Sequence, residues 1–288
     1  MSRSVSSADA KAQASVNIPL PQFRSLGGTS RTDAWWIQPL VVFLMLSAFV
    51  VYSTWAAFQG KNYFFEGGGA QYLSPFYSPE IFGTSPHSIF GPKPDWFPWP
   101  SFLAFSPAFL ILWAPGGFRF TCYYYRGAYY KAFWADPLSC AVGEPSFRGT
   151  KYRGEAKWPL LLQNIHRYFL YVAVFFIFFL AYDAVKSYFF LSPDGTSHFG
   201  IGVGSLVMTL NVILLGGYTF SCHSMRHLVG GMFDRLSGHP IRKVAYDCVT
   251  CINKKHMVYA WMSLVWVGFT DVYVRLCATG TWSDFRIF

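Results

Sequence analysis

Five long apolar stretches constrain the fold of this chain more than any other feature of its 288 residues. A helix that crosses the hydrocarbon core of a membrane needs about 20 predominantly apolar residues. Charged residues make up only 13% of the chain, against roughly 25% in an ordinary soluble domain. Helices satisfy their backbone hydrogen bonds internally, and the alternating pattern of a membrane barrel is missing. The sequence therefore predicts an all-α integral membrane protein, a five-helix bundle with spans at 35–58, 102–125, 159–190, 201–227 and 256–278.

The second stretch contains several helix-disrupting residues, namely Pro107, Pro115, Gly116 and Gly117. Proline lacks a backbone donor, and sharp helix kinks usually occur at proline or glycine. We therefore expect a kink in this span, which would let Cys122 turn toward the interior of the bundle.

Lysine and arginine are distributed unevenly between the connecting segments. They are frequent in residues 1–33 and in the loops after the second and fourth spans, whereas the loop after the third span, 191–200, has none. The positive-inside rule therefore predicts a cytoplasmic N-terminus, an outer C-terminus and a multi-pass protein of the plasma membrane. Residues 1–33 form the predicted polar cytoplasmic arm, and 34–288 the membrane domain. This topology accounts for the net charge of +9, so no nucleic-acid partner is expected.

Cysteine and histidine gather on one side of this topology. Five of the six cysteines, and all the histidines associated with spans, lie toward the cytoplasm. Facing imidazoles can hold a haem iron, two imidazoles with two thiolates can hold a Rieske-type cluster, and zinc accepts both ligand types. Spacing alone does not separate these three centres. The candidate ligands, in order of preference, are His166, His227, Cys222, Cys122, His223 and Cys140.

Several longer strings resemble one known family. They are "FRFTCYYYRGAYYKAFW", "CAVGEP", "LLLQNIHRYFLY", "GYTFSCHSMRHLVGG" and "WVGFTDVYVRL". Together they resemble the membrane-anchor subunit of succinate dehydrogenase (respiratory complex II), in the single-chain five-helix form found in actinobacteria. The resemblance covers most of the chain from the first span onward. It implies two soluble partners on the cytoplasmic face, a flavoprotein that oxidises succinate and an iron–sulfur protein. It also implies electron transfer to menaquinone, and an oligomer of such complexes is a further expectation.

The histidines depart from the pattern of the familiar di-haem anchors. Those anchors use four helix-borne histidines, two near each membrane face, whereas no span of this chain has a histidine in its outer half. A distal haem is therefore not expected. Haem b needs no cysteine, whereas a Rieske-type [2Fe–2S] cluster takes two cysteines and two histidines. We therefore expect a Rieske-type cluster in the membrane, with one haem b as the alternative cofactor.

Aromatic and basic residues near the cytoplasmic face supply the chemistry of a quinone site. Such a site needs a flat apolar slot, hydrogen-bond donors and a proton source. An aromatic belt with snorkelling arginines explains most of these residues individually. The candidates for quinone binding are Tyr124, Arg126, Trp134, Arg167 and Tyr168.

Two charged pairs occur in the outer halves of the spans. Asp183 is followed by Lys186 at i+3, and Asp271 by Arg275 at i+4. Either pair can be a helix-surface ion pair, but ionisable groups inside a membrane are functional candidates by default. We predict that Asp183, Asp271 and Arg275 serve a proton path or a distal quinone site.

Three other functions compete with the quinone-reducing anchor. The chain has no flavin or nucleotide fingerprint, so it is not expected to oxidise succinate alone. The first alternative is a haem b anchor of a related fumarate reductase or quinol oxidoreductase. The second is a helical transporter, which the broken second span favours but the lack of visible repeated halves disfavours. The third is a purely structural anchor.

Overall fold

The computed structural model describes residues 33–34, 36–133, 165–231 and 235–288. The predicted arm, apart from Asp33, lies outside these ranges, as do Trp134 and Cys140. The helices and strands of the described ranges are, in chain order, α1 (Ile37–Gln59), β1 (Phe64–Gly67), β2 (Ala70–Leu73), α2 (Ala108–Ile111), α3 (Trp113–Phe120), α4 (Tyr123–Phe133), α5 (His166–Lys186), β3 (Phe189–Leu191), β4 (Ser197–Phe199), α6 (Val203–Phe220), α7 (His223–Gly230), α8 (Pro240–Asn253) and α9 (His256–Ala278).

Four helices of the described ranges, α1, α5, α6 and α9, are long and apolar enough to cross a membrane. They correspond to the first, third, fourth and fifth predicted spans, so the prediction of a multi-pass helical protein is confirmed. Along α1, large apolar side chains such as Leu44 and Val51 are exposed. Exposed apolar side chains on a helix whose backbone bonds are internal are what contact with lipid requires.

The second predicted span is divided into short helices. Helices α2 and α3 are separated at Leu112, and α3 and α4 at Thr121 and Cys122. Pro107 caps the start of α2, which suits a residue without a backbone donor. Pro115 is tolerated within α3. The expected break therefore exists, but its main interruption comes at Cys122 rather than at Pro115.

The fourth predicted span breaks in the same way. Helix α6 ends at Phe220, and Cys222 adopts extended backbone (φ −63°, ψ 144°) before α7 begins. At both breaks a hydroxyl donates to a backbone carbonyl of the preceding turn, Thr121 to Gly117 at 2.7 Å and Ser221 to Tyr218 at 3.2 Å. Such bonds compete with the helical ladder. Each break therefore leaves a cysteine at the junction between two helices.

Helix α8 lies in the segment between the fourth and fifth predicted spans, which sequence analysis treated as a loop. Pro240 is its first residue, a position where the missing backbone donor and fixed φ of proline are favourable. Asn253 at its end donates from Nδ2 to the carbonyl oxygen of Ser221 at 2.5 Å. This bond fixes α8 against the break between α6 and α7.

Two β-hairpins cover the opposite end of α5, α6 and α9. Strand β1 pairs with β2 antiparallel, and β3 pairs with β4. The hairpins meet where the Leu191 amide donates to the Gly69 carbonyl at 2.8 Å. Gly69 has φ +85°, and a Cβ there would lie 2.5 Å from the carbonyl oxygen of Leu191. Glycine is therefore required at this turn.

A carboxylate near the C-terminus joins this covering layer to the helices. Asp284 accepts from the hydroxyls of Tyr72 (2.6 Å) and Tyr273 (2.5 Å) and from the backbone amide of Gly204 (2.9 Å). The three donors lie on β2, α9 and α6. The carboxylate therefore holds one strand and two membrane helices together.

The chain divides into two compact units. The first comprises Met1–Val42 and Ala128–Tyr152, and the second Phe43–Gly127 and Arg153–Phe288. The structure describes the start of α1 and the end of α4 from the first unit. In the second unit, α6 packs against both α5 and α9, and α3 packs against α5.

Candidate functional site

Four cysteine and histidine side chains from different parts of the second unit meet at the helix breaks. Cys122 and Cys222 lie at the two junctions, and His166 and His256 are the first residues of α5 and α9. His166 Nε2 lies 3.0 Å from Cys222 Sγ, and His256 Nε2 lies 3.5 Å from Cys122 Sγ. The two pairs are neighbours, because the ring of Phe118 stacks on His166, the ring of Tyr218 stacks on His256, and the centres of the Phe118 and Tyr218 rings are 5.4 Å apart. We refer to Cys122, His166, Cys222 and His256 as the Cys/His cluster.

The structure thus brings together three of the predicted ligands and adds His256, which sequence analysis did not select. A sequence signal for His256 exists. The string GGFRFTC at 116–122 recurs as GGYTFSC at 216–222, so the two cysteines end matching motifs. His166 and His256 are likewise each followed by an aromatic residue at i+3, namely Phe169 and Tyr259. A search for equivalent halves would have pointed to His256.

The aromatic residue of each motif stacks on one imidazole. The rings of Phe118 and His166 are 4.6 Å apart and inclined by 8°, and those of Tyr218 and His256 are 5.1 Å apart and inclined by 20°. The motif hydroxyls also bind these imidazoles. Thr121 Oγ1 lies 2.8 Å from Nδ1 of His166, and Ser221 Oγ lies 2.7 Å from Nδ1 of His256. Each imidazole is therefore held by an aromatic ring stacked on its face and by a hydroxyl at Nδ1, and its Nε2 points toward a cysteine.

The second glycine of each motif permits this packing. A Cβ on Gly117 would lie 2.3 Å from the ring of Phe169, and one on Gly217 would lie 2.5 Å from the ring of Tyr259. These aromatic residues follow the two histidines by one helical turn. The glycines therefore let α3 approach α5, and α6 approach α9, closely enough to align each motif with its histidine.

The donor set of the Cys/His cluster suits a two-iron centre. Within the described part of the chain, no three His, Cys, Asp or Glu side chains are arranged to hold a single metal ion. A Rieske-type centre instead needs only two protein ligands on each iron, two thiolates and two imidazoles in all. Both cysteines are free and buried. The hydroxyl of Tyr218, whose ring stacks on His256, is buried without a hydrogen-bond partner and is available as a donor. The residues present therefore include the two cysteines and two histidines that a Rieske-type cluster would take.

Two other predicted ligands lie away from the cluster. His223 and His227 are exposed on α7, with their Nε2 atoms 3.1 Å apart. They face each other across one helical turn, as the i, i+4 spacing predicts. Cys140 lies outside the described residues.

An apolar cavity of about 170 Å³ adjoins the cluster. Its wall includes Phe118 and Tyr218, the two rings that stack on the histidines, and Arg119. The Arg119 guanidinium lies over the ring of Tyr218 at 4.5 Å. It also donates to the Ala260 carbonyl at 3.0 Å and to Ser263 Oγ at 2.7 Å. The cavity therefore combines apolar walls with one charged donor.

The predicted quinone-binding residues are divided between two locations. Tyr124 is half-buried, and its hydroxyl accepts from Trp261 Nε1 at 2.7 Å. The guanidinium of Arg126 lies 4.2 Å from the centre of the Tyr123 ring. Arg167 and Tyr168 are exposed at the start of α5. Trp134 lies outside the described residues.

Asp271 and Arg275 form a buried ion pair in α9. Arg275 Nε donates to Asp271 Oδ2 at 2.7 Å, and the side chains are 8% and 0% exposed. Asp271 also accepts from the hydroxyls of Tyr52, at 2.5 Å, and Ser74. Arg275 donates further to the carbonyls of Ala56 and Lys61 at 3.0 and 2.9 Å. The pair therefore links α9 to the end of α1 and to the segment that follows β2.

Asp183 contacts the segment that follows β2. Its carboxylate accepts from Ser78 Oγ at 2.5 Å and lies 2.9 Å from Nδ1 of His87. Asp183 and His87 line a cavity of about 550 Å³ together with Glu80. His87 Nε2 is buried without a hydrogen-bond partner. An acid–imidazole pair with one unsatisfied nitrogen is therefore present beside this cavity.

Glu80, which lines the same cavity, is hydrogen-bonded to Tyr63. The Tyr63 hydroxyl donates to Glu80 Oε1 at 2.8 Å. Burial, and secondly this bond to the carboxylate, raise the pKa of Tyr63 to about 12. The phenol therefore remains protonated and a donor at neutral pH.

Comparisons with known proteins decide the family. A family model described as "Actinobacterial succinate dehydrogenase subunit SdhC" matches residues 37–280. The chain belongs to this family. Among solved structures it is similar to a chain of the "Mycobacterium smegmatis Sdh1 complex in the apo form", with 43% sequence identity and a TM-score of 0.77. That match covers 94% of this chain and 97% of the other. A search of curated proteins gave no match.

Membership in the SdhC family confirms the resemblance drawn from the sequence and makes the chain a membrane-anchor subunit of succinate dehydrogenase. The family match spans α1, the Cys/His cluster and α9. Both matching motifs, and both histidines that they hold, therefore lie within the family region.

Proposed function

We propose that this anchor receives electrons from an iron–sulfur subunit and passes them to menaquinone through a Rieske-type [2Fe–2S] cluster held by the Cys/His cluster. The observation that carries the proposal is the convergence of two buried thiols and two imidazoles from four helix ends. Such a cluster supplies one-electron transfer when bound, with a potential set by its surroundings. The haem b alternative uses only the two imidazoles and leaves both thiols without a role.

The topology proposed for this function has five membrane crossings. The fifth crossing is the broken segment of α2 and α3, in addition to the four long helices. The charge distribution supports a cytoplasmic N-terminus and an outer C-terminus in the plasma membrane. The Cys/His cluster then lies toward the cytoplasm, where the flavoprotein and iron–sulfur partners would dock. The relative of known structure belongs to an Sdh1 complex, which supports assembly with other subunits.

The chain's own residues would bind and shield this centre. Phe118 and Tyr218 cover the faces of the two imidazoles. Cys122 and Cys222 are each only 2% exposed, and His166 is 8% exposed. By excluding water, these side chains would lower the local dielectric around a bound centre and so influence its redox potential.

We place the quinone ring in the apolar cavity beside Phe118, Arg119 and Tyr218. This cavity offers an apolar wall in contact with the rings that cover the cluster, and a cationic donor at its edge. Such a combination is typical of ligand sites. The alternative location is beside the quinone-binding residues predicted from the sequence that the structure describes, namely Tyr124, Arg126, Arg167 and Tyr168.

A substitution that fills the cavity tests the quinone location. Leu215 lines the cavity, whereas Ile213 on the same helix is 59% exposed. Leu215→Trp should abolish quinone reduction while succinate still reduces the iron–sulfur centres, and Ile213→Trp should retain turnover. Normal turnover in Leu215→Trp, together with loss of turnover in Tyr124→Phe, would instead assign the quinone to a site beside Tyr124.

The proton path is proposed to use Asp183, Asp271 and Arg275. Asp183 has the supporting geometry, because it lies with His87 beside a cavity. The saturated hydrogen bonding of Asp271 also suits a structural ion pair. Quinone turnover in Asp183→Asn and Asp271→Asn separates these roles. A residue whose asparagine variant keeps full turnover in the assembled complex is not on the path.

Ligand variants test the proposed function itself. His256→Ala and His166→Ala should each remove the cluster iron from the purified complex and stop quinone reduction. His227→Ala is the matched control, because it removes an exposed histidine that sequence analysis ranked among the ligands. Iron loss in His227→Ala but not in His256→Ala would overturn the ligand set. Purification of the chain without redox partners would instead support a transporter or another non-redox role.

A further inference from the structure

We propose that Thr121 and Ser221 are positioning residues that fix the tautomers of His166 and His256, so that both imidazoles carry their proton on Nδ1 and ligate through Nε2. The inference rests on the proposed Cys/His-ligated centre and goes beyond it by assigning the ligating atom. It is carried by the two matching motifs GGFRFTC and GGYTFSC, each of which ends in a hydroxyl residue and a cysteine.

The direction of each imidazole is set by its two nitrogens. On His166, Nε2 lies 3.0 Å from Cys222 Sγ, while Nδ1 lies 2.8 Å from Thr121 Oγ1. A ring flip would exchange both nitrogens for carbons and lose both contacts. The nitrogen that shares a centre with the thiols is therefore Nε2.

The hydroxyl of Thr121 is arranged to accept a hydrogen bond from the remaining N–H group of His166. A neutral imidazole that ligates through Nε2 carries its proton on Nδ1. A threonine hydroxyl has one proton to donate, and Thr121 can direct it to the Gly117 carbonyl at 2.7 Å. Its oxygen lone pairs then face Nδ1 of His166. The helix carbonyl, the hydroxyl and the imidazole form one directed chain that ends at the ligating nitrogen.

The second half repeats this arrangement. Ser221 Oγ lies 2.7 Å from Nδ1 of His256 and donates to the Tyr218 carbonyl at 3.2 Å. His256 Nε2 lies 3.5 Å from Cys122 Sγ. Asn253 donates to the backbone carbonyl of Ser221 and holds that residue in place.

The two halves, each a motif with the histidine on which it stacks, are connected to each other through their cysteines. Each motif stacks on and orients one histidine, while its own cysteine faces the histidine of the other half. In both halves Nδ1 faces a hydroxyl and Nε2 faces a thiol. Because the same orientation occurs twice, chance does not explain the orientation of the two rings. An acceptor on the outer N–H of a ligating histidine fixes its orientation and raises its basicity, so loss of that acceptor should raise the midpoint potential of the centre.

Position-specific isotopes test the ligating atom in the intact complex. Histidine labelled with ¹⁵N only at Nε2, or only at Nδ1, is incorporated by a histidine-auxotrophic host. Pulsed EPR of the reduced complex then identifies the strongly coupled nitrogens. We expect the strong couplings to change to those of ¹⁵N with the Nε2 label only. A change with the Nδ1 label only would overturn the inference and leave the proposed function standing. The absence of a histidine-coupled Rieske-type signal, with the signals of the iron–sulfur subunit still present, would overturn the proposed function and this inference together.

Variants test the role of the hydroxyls. Thr121→Val and Ser221→Ala should raise the midpoint potential and alter the weakly coupled nitrogen signals, and Thr121→Ser and Ser221→Thr should restore both. Thr270→Val is the control, because Thr270 is a buried hydroxyl bonded to a helix carbonyl of α9 away from the cluster. A potential that is unchanged in Thr121→Val and Ser221→Ala, or shifted equally in Thr270→Val, would overturn the positioning role.

Discussion

Replacement of Asp271 by asparagine should destabilise the bundle by about 3 kcal/mol, the lower end of the range for breaking a buried ion pair. Asp271 is fully buried, and its partner Arg275 is 8% exposed. The variant leaves the arginine charge without a counter-ion. Two backbone carbonyls still accept from Arg275, and the asparagine oxygen can still accept from Tyr52 or Ser74. These remaining bonds place the effect at the lower end.

An exposed pair of the same spacing supplies the control. Lys243 and Asp247 on α8 are also i, i+4, at 3.6 Å, but their side chains are 58% and 61% exposed. Asp247→Asn should therefore cost only about 0.3–0.5 kcal/mol. Unfolding of the purified complex by increasing SDS in mixed micelles, followed by far-UV circular dichroism, measures both variants. A difference of less than about 1 kcal/mol between them would refute the reasoning that burial makes the Asp271 pair a structural connection.

Three further predictions concern single contacts. Gly117→Ala should lower the cluster iron content, because its Cβ would lie 2.3 Å from the Phe169 ring, whereas Gly116→Ala meets open space and should not; equal iron in both variants would contradict the close approach. Arg119→Met should destabilise the complex by about 1–3 kcal/mol, because the hydroxyl of Ser263 loses its charged donor; an unchanged thermal midpoint would contradict this. Asp284→Asn should cost about 1–3 kcal/mol by weakening its bonds to two tyrosine hydroxyls, whereas exposed Asp194→Asn should be neutral in the same thermal assay.

Hydrophobicity predicts the membrane helices well, because the physical requirement is local. Each of the four long helices needs only about 20 apolar residues in sequence, and these can be counted without tertiary information. The second span was harder to predict. Proline and glycine indicated a break, but Pro115 and Gly117 remain helical within α3 and the chain turns at Cys122. At this turn the Thr121 hydroxyl donates to the Gly117 carbonyl, and α3 packs against α5; neither contact can be recognised from local sequence.

The predicted ligands differ in where the structure places them. The i, i+4 pair of His223 and His227 was attractive because the two side chains share a helix face, and the structure shows them facing each other on exposed α7. Cys122, His166 and Cys222 were selected, and they do meet. His256 was placed at the start of the fifth span but not selected, because spacing says nothing about which helix ends converge. The repeated motif carried that information.

The charged pairs also required tertiary structure. The i, i+4 spacing indicated the Asp271–Arg275 pair, and the structure contains it. The i+3 spacing of Asp183 and Lys186 indicated a similar pair, but Asp183 contacts Ser78 and His87 from a segment more than 90 residues away. The ammonium of Lys186 instead lies over the ring of Tyr182. Local spacing cannot reveal a partner supplied by a distant segment.

The most direct test of the central claim is the combined optical and low-temperature EPR spectrum of the dithionite-reduced complex, purified through this subunit. We predict no haem α-band and a Rieske-type EPR signal that is lost in Cys222→Ser and in His256→Ala but retained in His227→Ala. A haem α-band, with iron that persists in Cys122→Ser and Cys222→Ser, would contradict the account and assign His166 and His256 to a haem.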